Sequence, residues 1–170
     1  NFMERLIKKE TEHNTEFIVK QLQKNVEALI EINKYADKDK LVDELVTKIK
    51  LFIGIGSLEL EKQLKEKLVN LSIYLLFNQL LFYRIYRVKV PDNNLPPLKD
   101  IKEKRELQKF FGEIEKKGFR PIYEVNVLSH ISDNPKVIEI INDVIESMKS
   151  LRPEQITHDI AGIFFHKLIP

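Results

Sequence analysis

Four histidines, His13, His130, His158 and His166, are the candidates for metal ligation in this chain. A helical zinc site needs two imidazoles on one face, as in His-Glu-x-x-His, so that a single ion lies within reach of both. None of the four has that spacing. His158 and His166 stand eight residues apart, too far along one helix to share an ion. Cysteine is absent, which removes thiolate ligands, disulfides and thiol nucleophiles. No Gly-x-Ser-x-Gly elbow supplies an activated serine. Glu115 and Glu124 read as solvated charges rather than an acid–base pair. The "GIGS" at residues 54–57 lacks the Lys-Ser/Thr that would contact phosphate and magnesium. No catalytic, cofactor-binding or metal residue is therefore assigned.

Two polar features remain. Asn78 and Gln79 interrupt "LVNLSIYLLFNQLLFY", an uncharged run over residues 68–83. A buried amide must find partners, so these two are expected to bond the backbone of a neighbouring loop. The second feature is a local charge excess. Between Arg84 and Arg120 there are eleven basic side chains against six acidic ones, whereas the whole chain carries only +2. Arg84, Arg87 and Lys89 follow the apolar run directly. They are candidate contacts for nucleic-acid phosphates. They equally suit the solvated C-terminal end of a helix, where cations complement the dipole.

Hydrophobic spacing supplies the elements that would position these groups. Ile18, Leu22, Val26, Leu29 and Ile30 predict a helix over 14–36, with a further turn or two around Phe2 and Leu6. Leu41, Val42, Leu45, Val46, Ile49, Phe52 and Ile53 predict a second helix, stopped by the glycines at 54 and 56. Ser57 caps a long helix running to about Val90, one-faced at first and then apolar nearly all round. "VPDNNLPPLKD" is a loop, because its prolines cannot continue a helix. Leu107, Phe110, Phe111 and Ile114 mark another helix, closed by Gly118. "FRPIYEVNVLSHIS" shows no period and reads as extended or irregular. Asn134–Pro135 opens a helix with Val137, Ile140, Ile141, Val144, Ile145 and Met148 on one stripe. A last apolar helix begins near Thr157. The fold class is all-α: a single domain over residues 1–170, a bundle of six or seven helices around the long apolar one. The run at 68–83 is too short and too polar for a membrane span, so no membrane partner is expected. The absence of cysteine suits a reducing cytoplasm.

Three stretches in order, "FNQLLFYRIYRV", "FRPIYEVNVLSHI" and "HDIAGIFFHKLIP", resemble the helical region that precedes the catalytic domain in adenine-specific DNA methyltransferases of restriction–modification systems. The type I modification subunits and the fused type II enzymes both have it. In that family Asp-hydrophobic-x-Gly-x-hydrophobic-Tyr-x-x-Leu-Ile-Pro leads into Phe-Tyr-Thr-Pro. Asp159, Ile160, Gly162, Phe164, Leu168, Ile169 and Pro170 match, while Phe165 and His166 stand where the family often has Tyr and Glu. The resemblance spans roughly residues 70 to 170 and leaves the first 55 or so without a motif. It implies a non-catalytic helical module, with S-adenosylmethionine bound elsewhere in a longer parent chain. The Asn-Pro-Pro-Tyr motif and the cofactor loop of the family are not in this sequence. The apolar ending at Pro170 is then expected to pack on, or lead into, that catalytic domain. DNA and a specificity subunit are the other implied partners. A stand-alone helical interaction or regulatory module is the alternative.

Overall fold

The computed structural model describes residues 1–34 and 58–152. Among them are five α-helices, one 3-10 turn and no strand, so the chain is all-α as its composition and periodicity indicate. The expected helix over 41–53, the Ser57 cap and the last helix with Asp159, Gly162, Phe165, His166, Leu168, Ile169 and Pro170 lie outside the described residues.

Helix α1 runs from Phe2 to Asn33 without a break. The segment before residue 14 is part of it, since "FMERLIKKETEHN" holds neither Gly nor Pro to stop a helix. Asn1 caps it by accepting the Met3 N–H at 3.0 Å. Leu22, Val26 and Leu29 are buried, with Ile18 and Ile30 packed at the margin. At its far end Asn33 is itself buried. Its amide donates to the Leu29 carbonyl at 2.7 Å and its Oδ1 accepts the Ser132 N–H at 2.7 Å, across 99 positions of sequence.

Helix α2, Leu58–Lys89, is also 32 residues long. Its C-terminal half is apolar on several faces because it packs against α1 and against three later elements, the helices Lys104–Glu115 and Pro135–Lys149 and the 3-10 turn Val127–His130. Ile73, Leu76, Phe77, Leu80 and Tyr83 are fully buried, and Leu75 lies at the rim, half-buried. No helix among the described residues is long and apolar enough to cross a membrane.

Asn93 ends α2. Its amide donates to the carbonyls of Arg87 and Val90 at 2.8 and 2.6 Å, and its Oδ1 accepts the Leu95 N–H at 2.8 Å. Two neighbours, Asp92 and Asn94, take positive φ (56° and 57°), a conformation their short polar side chains tolerate. The loop then crosses to α3, Lys104–Glu115, which opens with a capping box between Glu103 and Glu106. Leu107, Phe110, Phe111 and Ile114 bury its inner face, and Gly118 (φ 102°) turns the chain away.

The aperiodic stretch after Gly118 is helical in two short pieces. Helix α4, Arg120–Tyr123, carries Pro121 in its first turn, and the 3-10 turn spans Val127–His130. Neither is long enough to show a hydrophobic period, which explains why the spacing suggested extended or irregular chain. Asn134 then accepts the Lys136 N–H at 3.0 Å and starts α5, Pro135–Lys149, whose six apolar stripe residues are all buried. From α5, Asn142 pairs with both backbone groups of Ile101, at 2.8 and 2.9 Å, and pins the loop before α3.

Leu76 has no exposed surface at the middle of this core. Leu76→Ala is expected to cost roughly 2–5 kcal/mol through lost transfer energy and the cavity it leaves. A thermal melt within a degree of the unaltered protein would contradict this packing.

Candidate nucleic-acid interface

The C-terminal half of α2 carries a ladder of donors one turn apart. Gln79, Tyr83 and Arg87 follow i, i+4, i+8, so they share a face. The Gln79 amide, 2 % exposed, donates to the carbonyls of Ile122 and Val125, both at 3.1 Å. Its own backbone carbonyl accepts the Tyr123 hydroxyl at 2.7 Å. Tyr83 donates its hydroxyl to the Pro96 carbonyl, and Arg87 Nε donates to the Leu95 carbonyl at 3.2 Å. Gln79 is thus the core amide bonded to a loop backbone that the sequence suggested. Asn78 sits half-buried beside it.

Burial pushes the Tyr83 phenol up to about 12, with Arg87 opposing and Glu113 reinforcing the shift. Burial, and then Tyr83, raise Tyr123 as well. Both hydroxyls therefore remain donors across the physiological range.

The three candidate phosphate contacts sit in different surroundings. Arg84 is half-buried, and one guanidinium nitrogen reaches the Lys149 carbonyl at the end of α5 at 3.4 Å. Its Nε has no partner among the described residues. Burial and then the neighbouring Arg87 lower its pKa, yet an arginine stays charged at neutral pH. Arg87 is engaged by the loop through Leu95. Lys89 is exposed. At about 100° per residue it lies roughly 140° around the helix from Arg84 and 200° from Arg87. Arg84 and Arg87 are brought together; Lys89 points elsewhere.

Packing gathers a further basic group that spacing alone did not single out. Phe119 sits against Phe82 (ring centroids 4.9 Å) and Tyr86 (4.8 Å). That seat brings the exposed Lys116, Lys117 and Arg120, on either side of Phe119 in sequence, to the C-terminal third of α2. The readable signal was the i, i+4 aromatic pair Phe82–Tyr86. Lys116 is also paired with Glu113 at 3.0 Å.

A second basic cluster is neutralised internally. An open groove of about 740 Å³ lies between the starts of α3 and α5. On its wall Lys104 bonds the Asp133 carboxylate (2.8 Å) and the Ile131 carbonyl (2.6 Å), while Arg105 pairs with Glu103 at 2.7 Å. The Lys104 ammonium holds the Asp133 carboxyl below the usual range. Among the described residues no group of His and carboxylates is arranged to hold a metal. His13, His158 and His166 contribute no described side chain, and His130 lies in the 3-10 turn.

Gln79→Leu is expected to leave two loop carbonyls unpaired, costing roughly 1–3 kcal/mol for each. Gln79→Glu should be worse at neutral pH, where a carboxylate faces two acceptors, and less harmful near pH 4, where a protonated carboxyl can donate again. Denaturant melts at both pH values read this directly; equal stability of the two variants at pH 7 would contradict the geometry.

The raised Tyr83 phenol gives a second expectation. Its folded pKa lies above the ordinary 10.0, so its contribution is complete below about pH 10 and is lost as pH rises through about 12. Tyr83→Phe should flatten the alkaline loss of stability in that window, followed by denaturation at stepped pH.

Comparison with protein-family models, with curated proteins and with solved structures returns no match for this chain.

Proposed function

We propose that this chain is a non-catalytic helical module of an adenine-specific DNA methyltransferase, supporting a catalytic domain and holding duplex DNA through its backbone. The supporting observation is the direct pairing of two of the family-like stretches. Residues 77–88 and 119–131 meet at Gln79 and Tyr123, where each stretch donates a hydrogen bond to the other's backbone. These two stretches thus form one packed unit, and the basic side chains Arg84, Lys89, Lys116, Lys117 and Arg120 sit on or beside it. In this reading S-adenosylmethionine and the flipped adenine belong to the parent enzyme's catalytic domain, and the protein acts in the cytoplasm. A module that grips phosphates on one side of the target steadies the duplex while the base leaves the stack. A specificity subunit is a further partner in the type I form.

The basic groups divide by role. Arg87 is partly committed to the loop, so its loss weakens the fold as well as any phosphate contact. Lys89 is exposed, and Arg84 is half-buried with its Nε sealed from solvent. A second reading, a helical interaction module without an enzyme, draws support from the exposed apolar side chains at the head of α1.

Duplex DNA titrated into the protein at several salt concentrations tests the first reading. Arg84→Ala and Lys89→Ala are each expected to flatten the log–log salt slope by about 0.9 and to weaken all sequences alike. Arg87→Ala should in addition lower the melting temperature. Absence of DNA binding at low salt, or slopes unchanged in both variants, overturns the DNA-holding role. Finding Phe-Tyr-Thr-Pro and Asn-Pro-Pro-Tyr in the reading frame beyond Pro170 separates the methyltransferase module from the interaction module.

A further inference from the structure

Among the described residues three aromatic side chains, Phe82, Tyr86 and Phe119, are neither sealed in the core nor fully exposed. They form one cluster. Phe82 lies along Tyr86 with ring centroids 6.3 Å apart, and Phe119 closes on them at 4.9 and 4.8 Å. The other described aromatic side chains are buried or, like Phe2 and Phe17, exposed on α1.

Lys89 belongs to the same face. At about 100° per residue, Phe82, Tyr86 and Lys89 fall within roughly 60° of one another around α2. The lysine that diverges from Arg84 and Arg87 thus extends the aromatic stripe. Lys117 and Arg120 flank Phe119 in sequence, and both are exposed. Among the described residues no carboxylate pairs with Lys89, Lys117 or Arg120, whereas Lys104, Arg105, Lys116 and Lys149 each hold one.

We propose that this face binds an unpaired nucleic-acid strand, its bases stacking on Tyr86 and Phe119 and its phosphates meeting Lys89, Lys117 and Arg120. The inference rests on the nucleic-acid reading given above and narrows the ligand at this part of it. Cations alone suit any polyanion. Rings add to binding only where the ligand offers flat π faces, and a duplex keeps those faces inside its own stack. An acidic peptide supplies the charge without the faces. Aromatic side chains set among free cations therefore select a single strand, and they tolerate any base, since every base has a π face.

Four probes are titrated into the whole chain by fluorescence anisotropy: an oligothymidylate of roughly twelve nucleotides, an abasic strand of the same length, a duplex, and oligoglutamate. The oligothymidylate should bind about five-fold or more tighter than the abasic strand, the low end for one stacked base. Tyr86→Leu and Phe119→Leu keep apolar bulk and should each lose about that factor on the oligothymidylate, with no change on the abasic strand. Phe119→Tyr should retain binding. Lys89→Ala, Lys117→Ala and Arg120→Ala should each flatten the single-strand salt slope by about 0.7. The comparison of strands uses the unaltered protein, so it decides the matter even where a ring variant fails to fold. Duplex binding with equal affinity for the oligothymidylate and the abasic strand overturns this inference and leaves the duplex-holding reading standing. No binding of any nucleic acid overturns both. Oligoglutamate binding as tightly as the oligothymidylate overturns it too and marks the face as a site for acidic protein.

Discussion

Buried loop carbonyls must find donors, and the arrangement of this protein follows from how they do so. Apart from α3, the chain between α2 and α5 is loop and short helical pieces, whose backbone cannot satisfy itself within regular structure. Side chains fixed on the helices supply the missing donors. Gln79 serves Ile122 and Val125, Tyr83 serves Pro96, Arg87 serves Leu95, and Asn142 serves Ile101. Each donor projects from a packed helix, so each loop inherits its position from helix geometry. The irregular segments are ordered by the long helices.

That constraint bears on charge as well as shape. A cation spent on a loop carbonyl is less available to an external anion, and α2 distributes its basic residues between the two duties. Arg87 leans on the loop, Arg84 reaches the end of α5 with one nitrogen and buries its Nε, and Lys89 faces solvent. Near the groove between α3 and α5 the balance tips fully inward, since Lys104 and Arg105 both hold carboxylates. Net basic character in a stretch of sequence is therefore a poor guide to where positive potential emerges.

Much of the fold was legible because the signals were local. The Asn134–Pro135 start, the stripe through Met148, the Leu107–Ile114 face and the proline-rich loop each follow from residue type and spacing within a few turns. The buried role of Gln79 was legible too, because an amide in an uncharged run has few alternatives. Other features depend on what meets what in space. The 119–131 stretch is helical in pieces too short for periodicity, and the seat of Phe119 on Phe82 and Tyr86 appears only when the chain has folded back. The divergence of Lys89 from Arg84 was readable from helix angle alone; counting charges along the sequence hid it. Leu75 sits at the rim, and an all-round apolar helix does not reveal in its sequence which side its neighbours leave uncovered.

The bond from Asn33 to the Ser132 backbone, with α1 packed on α5, carries a consequence for biosynthesis. A ribosome releases α1 long before it has made residues 135–149. Until then the stripe of Leu22, Val26 and Leu29 lacks one of its main covers, and the Asn33 Oδ1 lacks its donor. Contacts so distant in sequence close slowly, and nascent apolar surface of this kind is what chaperones hold. Of the helices described, α1 is thus made earliest and is among the last to be sealed.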